Sequence, residues 1–355
     1  MSLETLQNIW ILLIAVLWMG YFILEGFDFG VGTLLHVVAK NDAERRTVIT
    51  TLGPVWDGNE VWLLVAGGAT FAAFPEWYAT LFSGFYLALL LILVALIVRG
   101  VAFEFRSKRS SASWRKRWDI AITVSSLVPA LLWGVAFANI VQGVPMSPNP
   151  AGGSLYDGNL FTLLNPYGLL GGLVTLSLFM THGAVFLALK TDGEIRVRSN
   201  KVAGQIGLVA AVLAVAFGLW TQFAHSNNSA VSLVFLVVAV VSWVAVLAMN
   251  RIGREGWAFV FSAVTMVGVV AFLFACLFPN VMPDSSVPMD ASLTIRNASS
   301  TEYTLTVMTW VAVILTPIVL LYQSWTYWVF RKRLTPSQIP NPEQGSLDLP
   351  HEVNA

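Results

Sequence analysis

Apolar positions in this chain come in long, nearly unbroken runs, and polar positions come in short clusters between them. About 20 consecutive apolar residues span the roughly 30 Å hydrocarbon core as a helix, so each run reads as a membrane crossing. Nine such spans are predicted, at 7–35, 52–74, 78–101, 119–141, 161–189, 202–223, 231–249, 257–278 and 304–330. The polar breaks at 75–77 and 225–230 are very short, which suits antiparallel neighbours. The first run has no basic residue ahead of it and extends beyond a signal-peptide core, so it reads as a retained span.

The basic residues orient these spans. Clusters follow the first span (Lys40, Arg45, Arg46) and the third (Arg99, Arg106, Lys108, Arg109, Arg115, Lys116, Arg117). Others follow the fifth (Lys190, Arg196, Arg198, Lys201), the seventh (Arg251, Arg254) and the ninth (Arg331, Lys332, Arg333). Of the 20 Lys and Arg residues, Arg296 alone falls in a loop of the other class. By the positive-inside rule the N-terminus is expected outside and the C-terminus in the cytoplasm.

A weak repeat also shows. Lys40, Asp42, Glu44 and Arg46 follow the first span with the same K-x-D-x-E-x-R spacing as Lys190, Asp192, Glu194 and Arg196 after the fifth. Chance likeness of two juxtamembrane loops is one account. The other is an all-α polytopic membrane protein whose nine transmembrane helices form two four-helix bundles plus one additional helix. The bundles would cover 1–142 and 143–280, with an outer loop and the ninth helix at 281–333 and a disordered cytoplasmic tail at 334–355. That tail is Pro-rich and polar.

Composition removes the main competitors. The chain has 355 residues, of which 56% are hydrophobic and 11% charged. A soluble domain would carry about 25% charged residues, so a soluble enzyme is excluded. Net charge is zero, which implies no nucleic acid or other polyanion as partner. Cys276 is the one cysteine, so disulfide frameworks, zinc clusters and iron–sulfur ligation by this chain alone are excluded.

Against that background the segment "GYFILEGFDFGVG" stands out, because it puts Glu25 and Asp28 into an apolar run. Each acid at a bilayer centre costs roughly 2.5–3.5 kcal/mol on insertion scales. The two lie three apart and share a helix face. Gly26 and Gly30, on another side, have the small-xxx-small spacing that lets a second helix approach closely. The second span opens with "GPVWDGNEVW", where Asp57 and Glu60 again share a face between Trp56 and Trp62. With the orientation above, these four acids and Glu104 gather in the cytoplasmic half of one bundle. There they relay protons, or cap helix ends, contact a partner chain, or pair with Arg45, Arg46 or Arg99.

Redox ligands are sparse. Of four histidines only His182 falls well inside a span, and a hydrogen-bonded helix histidine competes there with haem ligation alongside a methionine such as Met180. No Walker A motif, dinucleotide fingerprint or metal-spaced cluster is present. The 14 Trp and 22 Phe residues suit interfacial aromatic belts, with a quinone or lipid groove as the alternative.

"GYFILEGFDFGVG", "NDAERR", "GPVWDGNEVWLLVAGGATFAAFP", "SGFYLALLLIL" and "FEFRSK" together resemble subunit II of the cytochrome bd quinol oxidases. So do "LLWGVAFANIVQGVP", "LLNPYGLLGGL", "GWAFVFSAVT" and "ASLTIRNASSTEYTLTVMTWVAV", in the same order along the chain. The resemblance implies a subunit of a quinol:oxygen oxidoreductase in the bacterial cytoplasmic membrane, oxidising quinol and reducing O2 to water. It implies haem b and haem d in a partner, subunit I, which forms a pseudosymmetric heterodimer with this chain. It also brings a structural quinone in some members, and a small single-helix accessory subunit is a candidate partner. Family proton-route carboxylates fall on Asp57 and on Glu104, the latter as a longer homologue of an aspartate. The signature acid of the first span falls on Asp28, and Trp62 matches a tryptophan of the oxygen access region. Glu25 and Glu60 stand where some relatives carry aspartate and glutamine, and join the proton-route set in second rank. The loop between the sixth and seventh spans is short, so outer quinone contacts built on that loop elsewhere do not carry over. The rival reading is a proton-coupled transporter, whose paired repeats and buried acids look alike.

Overall fold

The computed structural model describes residues 1–149, 153–286, 291–339 and 346–348. Helix α1 (Leu3–Thr33) starts at Ser2, whose hydroxyl caps the Thr5 amide, and passes a break at Leu34 into the single turn α2 (Leu35–Val38). Asn41 caps α3 (Asp42–Leu52) by accepting from the Glu44 amide at 2.9 Å. Gly53 and Pro54 end that helix before α4 (Trp56–Ala73). Pro75 sits in the first turn of α5 (Pro75–Gly84), where its missing N–H costs nothing. There follow α6 (Tyr86–Phe105), a 3-10 turn at Arg106–Lys108, and α7 (Ala112–Gln142).

The second half holds α8 (Leu160–Leu163), α9 (Pro166–Lys190), α10 (Glu194–Ala224), α11 (Ser229–Arg251), α12 (Glu255–Leu277) and α13 (Glu302–Val329). Two short antiparallel ribbons, β1 (Met146–Pro148) with β2 (Ser154–Tyr156) and β3 (Asn280–Met282) with β4 (Leu293–Thr294), lie between helices at one end.

Eight of the described helices are long and apolar enough to cross a membrane: α1, α6, α7, α9, α10, α11, α12 and α13. The expected second span is α4, whose opening residues Asp57, Asn59 and Glu60 dilute its apolar character. The expected third span is divided into α5 and α6. A β-carbon on Gly84, at the junction, would lie 2.6 Å from Tyr156 Cβ, so glycine there lets the strand β2 approach closely. Pro166 likewise separates α8 from α9 in the expected fifth span.

α1 is the hub, packing on α4, α7, α9 and α12. Its seam with α9 is backbone against backbone. A β-carbon on Gly30 would overlap the Phe179 carbonyl, and one on Gly183 would lie 2.5 Å from the Val31 nitrogen. Glycine on both sides is what lets the helices meet without side chains between them. Just outside this seam an aromatic cluster fills the space between α1 and α7. Trp18 meets Phe137 edge-to-face at 4.8 Å and Trp133 at 5.0 Å, and Trp133 donates to the Tyr21 hydroxyl at 3.0 Å. α13 is different: only 6% of its apolar window is buried. Polar contacts hold it, with Trp10 donating to Thr309 at 3.1 Å and Tyr327 to Asn59 at 2.7 Å.

The loops after the first, third and fifth expected spans meet at one end through ion pairs. Asp42 holds Arg106 at 2.8 Å and Arg115 at 2.9 Å, Asp119 holds Arg106 at 2.5 Å and Arg45 at 3.1 Å, and Glu44 reaches Arg198 at 2.6 Å. The first repeat motif therefore supplies the bridges from α3 to both halves. Of the tail expected to be disordered, residues 334–339 are described: Leu334 donates to the Lys190 carbonyl at 2.8 Å, and Pro336–Gln338 form a 3-10 turn. Residues 340–345 and 349–355 lie outside the described residues.

Burial alone would raise the Asp42 carboxyl, but the guanidiniums of Arg106, Arg115 and Arg45 overcome it and hold Asp42 below its ordinary 3.8. A depressed folded-state value means that the clasp is fully stabilising above the ordinary value and is lost as pH falls through the folded one. Hydrogen-exchange protection of 42–52 in the intact complex, measured against the intrinsic rate at each pH, is therefore expected to hold down to about pH 4 and to fall below it. Unchanged protection at lower pH would show that these ion pairs do not anchor α3. For the α1–α9 seam, Gly30→Ala is expected to destabilise by at least about 1–3 kcal/mol, the range for overpacking. Gly204→Ala, whose added carbon would meet only Asn250 at an ordinary 3.5 Å, is expected to leave thermal unfolding unchanged or raise it.

Candidate functional site

The acids of α1 sit where the periodicity puts them, on one face, and both Glu25 and Asp28 are fully buried. Two helices meet that face. α6 brings Arg99, also fully buried, whose Nη2 pairs with Glu25 Oε1 and lies 3.3 Å from Glu60 Oε1. The guanidinium also lies near two rings, 4.6 Å from the Phe29 centroid and 5.9 Å from that of Phe103. Such proximity adds attraction that survives desolvation.

α4 brings Asn59, which acts as a hub. Its amide nitrogen donates to Asp28 Oδ2 at 2.8 Å and to the Leu24 carbonyl at 3.3 Å, and its oxygen accepts from the Tyr327 hydroxyl at 2.7 Å. One turn on, the Trp62 indole donates to Gln323 Oε1 at 2.8 Å. α1, α4 and α13 are thereby bonded in one row of polar groups. Several atoms in the seam are buried without a partner among the described residues: Glu25 Oε2, Asp28 Oδ1, and Nε and Nη1 of Arg99. Three carboxylates, those of Glu25, Asp28 and Glu60, stand against one guanidinium.

The expected convergence of five carboxylates holds for these three. Asp57 precedes Glu60 by one turn and is exposed, and Glu104 is exposed on α6; neither has an ion pair or hydrogen bond among the described residues. Exposure grades along α4, from open Asp57 to Glu60 with 21% of its side chain exposed, and then to the buried pair on α1. Trp62 is half-buried and lies against Gly20, where a β-carbon would overlap its ring.

Two residues of the seam, Asn59 and Tyr327, were not legible as such, and a third, Arg99, was legible only as one of three candidate cations for the acids. Arg99 reads from the sequence as the first cation of an inner loop, yet it belongs to the interior of α6. Its position within the run "LVALIVRGVAF" was the available signal, since a cation flanked by apolar residues on both sides needs a buried anion. Asn59 and Tyr327 carry no such signal, being ordinary residues whose partners lie on other helices.

His182 is fully buried with both ring nitrogens engaged, Nδ1 2.7 Å from Ser262 Oγ and Nε2 2.9 Å from the Ile23 carbonyl. Its ring stacks on Phe259 at 4.8 Å. It is the hydrogen-bonded helix histidine of the two readings above, and it does not fit haem ligation. No group of three or more His, Cys, Asp or Glu suited to a metal ion occurs among the described residues.

The chain matches the family model described as cytochrome bd terminal oxidase subunit II over residues 6–330. It is 40% identical to "Cytochrome bd-I ubiquinol oxidase subunit 2" of Escherichia coli K12, covering 95% of this chain and 97% of that one. It is 38% identical to "Cytochrome bd ubiquinol oxidase subunit 2" of Bacillus subtilis, covering 94% and 98% respectively. Among solved structures it resembles a chain of the bd oxidase from Geobacillus thermodenitrificans, with a TM-score of 0.73 at 19% identity over 92% of this chain and 100% of that one. This last likeness concerns the fold.

The buried pair can be tested by a double-mutant cycle. Arg99→Met leaves Glu25 uncompensated and is expected to cost about 3–5 kcal/mol, read as thermal unfolding of the purified complex. The double variant Glu25→Met, Arg99→Met is expected to recover most of that loss, because apolar replacement of a whole buried pair is often neutral. Additive losses would show that the two residues act independently.

Proposed function

The chain belongs to the subunit II family of the cytochrome bd terminal oxidases and is one subunit of an oxidoreductase complex of a bacterial membrane; we propose that its carboxylates supply protons to oxygen reduction in the partner subunit. In this reading the complex oxidises a quinol, ubiquinol in the named relatives, and reduces O2 to water. Haem b and haem d reside in subunit I, and His182, with both nitrogens engaged, supports leaving ligation to that partner. The basic end of the molecule faces the cytoplasm, with the N-terminus outside. Four-helix units at 1–142 and 143–280, with α13 added and α4 as the ninth crossing, follow the repeat and the family.

One observation supports the proton role: exposure falls from Asp57 to Glu60, one turn on along α4, and then to the buried acids of α1 that share Arg99 or its neighbourhood with Glu60. Asp57 takes a proton at the surface, and Glu60 stands next to Arg99 as an intermediate carrier. Glu25 and Asp28 lie inside, each with one oxygen unpartnered and able to hold a proton or a water. Glu104, exposed on the neighbouring helix, is a second entry. Trp62 belongs to the oxygen access region in this reading, its indole fixed by Gln323.

Two measurements test this. A complex isolated by a tag on this chain is expected to show b-type and d-type haem bands in its reduced-minus-oxidised spectrum; an intact but colourless preparation would favour the transporter. In that complex Asp57→Asn is expected to lower oxygen-reduction turnover about tenfold with haem content unchanged. That is less than the 100-fold or more lost when a group transferring protons at the reacting atoms is removed, because Glu104 offers a parallel entry. Wild-type turnover with full haem loading would remove Asp57 from the route.

A further inference from the structure

At the basic end of the molecule a cleft of about 380 Å³ opens between α2, α3 and the start of α7. His36, Asp42, Arg45, Arg115, Lys116 and Asp119 line it. The charges do not balance. Asp42 and Asp119 are shared among three guanidiniums, Arg45, Arg106 and Arg115, and Lys116 has no carboxylate partner among the described residues. On the cleft wall itself Arg45, Arg115 and Lys116 outnumber Asp42 and Asp119 by one charge, and Arg106, buried and bonded to both acids, adds a second behind them. The same hairpin already draws an anion elsewhere: the Asp348 carboxylate accepts from the Ser110 amide at 3.0 Å.

What lies beneath the cleft decides the kind of anion. Lys116 heads a face of α7 on which Ile120, Val124 and Leu127 recur at helical spacing, with 49%, 55% and 37% of their surfaces exposed. This apolar track runs from the cations toward the middle of the span. At the height of the cleft, Trp114 and Trp118 on α7 lie 5.7 Å apart, and Trp118 is 6.1 Å from Phe105, the kind of aromatic cluster that sits at the headgroup level. His36 closes the inner wall, 3.1 Å from the Thr123 hydroxyl.

We propose that this cleft and the track below it form a binding site for one anionic phospholipid. Its phosphate lies among Arg45, Arg115 and Lys116, and one acyl chain lies along Ile120, Val124 and Leu127. Basic pockets between membrane helices suit such headgroups, because the phosphate supplies the missing negative charge without leaving the interface. Arg45 and Arg115 each spend part of a guanidinium on an aspartate and keep the other donors for the ligand. A soluble phosphate would satisfy the cations equally well but would leave the apolar track without a role.

The test is native mass spectrometry of the intact oxidase complex titrated with phosphatidylglycerol, phosphatidylcholine or inorganic phosphate. Phosphatidylglycerol is expected to bind in preference to phosphatidylcholine. Lys116→Gln is expected to weaken it about fivefold, the effect of one surface charge. Val124→Asn, which alters no charge, is expected to weaken it as well. The same spectra report the mass of the partner subunit, so loss of assembly is read separately from loss of lipid. Equal binding of the two lipids, or lipid binding unaffected by Lys116→Gln, would overturn the assignment. Displacement of the lipid by inorganic phosphate, with Val124→Asn without effect, would overturn it in favour of a free anion.

Discussion

A guanidinium in the interior of a membrane-crossing helix has no water to turn to, and much of this structure answers that single demand. Arg99 is tolerable in α6 because Glu25 meets it from α1, Glu60 approaches from α4, and the rings of Phe29 and Phe103 lie near it. Each partner lies on a different element, so the pairing fixes the rotation of three helices at once. A shift of α1 by one residue would turn Glu25 by about 100° and leave two buried charges unpaired, which is far costlier than losing an apolar contact. The charge therefore acts as a register pin.

The pin works only if α1 lies close to the centre of the molecule, and glycine puts it there. Gly30 and Gly183 bring the backbones of α1 and α9 together, and the space saved is filled by Phe179 lying over Gly26. The opposite side of α1 closes on Trp18, Tyr21, Trp133 and Phe137 as an edge-to-face cluster. Without a hydrophobic driving force between helices in lipid, such close packing and interhelical hydrogen bonds are what remain to hold the bundle. His182 belongs to the same scheme: by bonding Ile23 on α1 and Ser262 on α12, it ties three helices through one imidazole.

How much of this was legible follows from what a single sequence encodes. Runs of apolar residues gave the spans, and a spacing of three gave the shared face of Glu25 and Asp28, because both are local properties of one helix. The small-residue spacing at Gly26 and Gly30 pointed to close approach, though not to Phe179 and Gly183 as the groups approached. Interhelical identities were reached only as alternatives, Arg99 being one of three candidate cations for the acids. Arg99 lies near the end of its apolar run, where positive charge is ordinarily a topology signal, and only Glu25 on another helix reveals it as buried. The approach of Tyr156 to the break at Gly84 likewise comes from a distant part of the chain, and nothing in the local apolar pattern announces it. Asp57 and Glu104, expected to converge with the other acids, are exposed on α4 and α6 and make no ion pair or hydrogen bond with the buried pair among the described residues.

The two charged networks of the molecule differ in a way that bears on what each is for. At the basic end, Asp42, Glu44 and Asp119 each hold at least one guanidinium, and cations are in excess. That is the balance expected of a clasp whose task is to fasten α3 across both halves. In the seam the balance is reversed, with three carboxylates to one cation and carboxylate oxygens of Glu25 and Asp28 left without partners in the interior. A network selected only to hold helices together would lose stability by keeping surplus buried acids, since apolar residues of similar size would pack as well at less cost. Glu60, beside Arg99 yet partly open, connects that surplus to the surface. Surplus, burial and graded exposure therefore fit the proton route proposed above better than they fit a fastening alone.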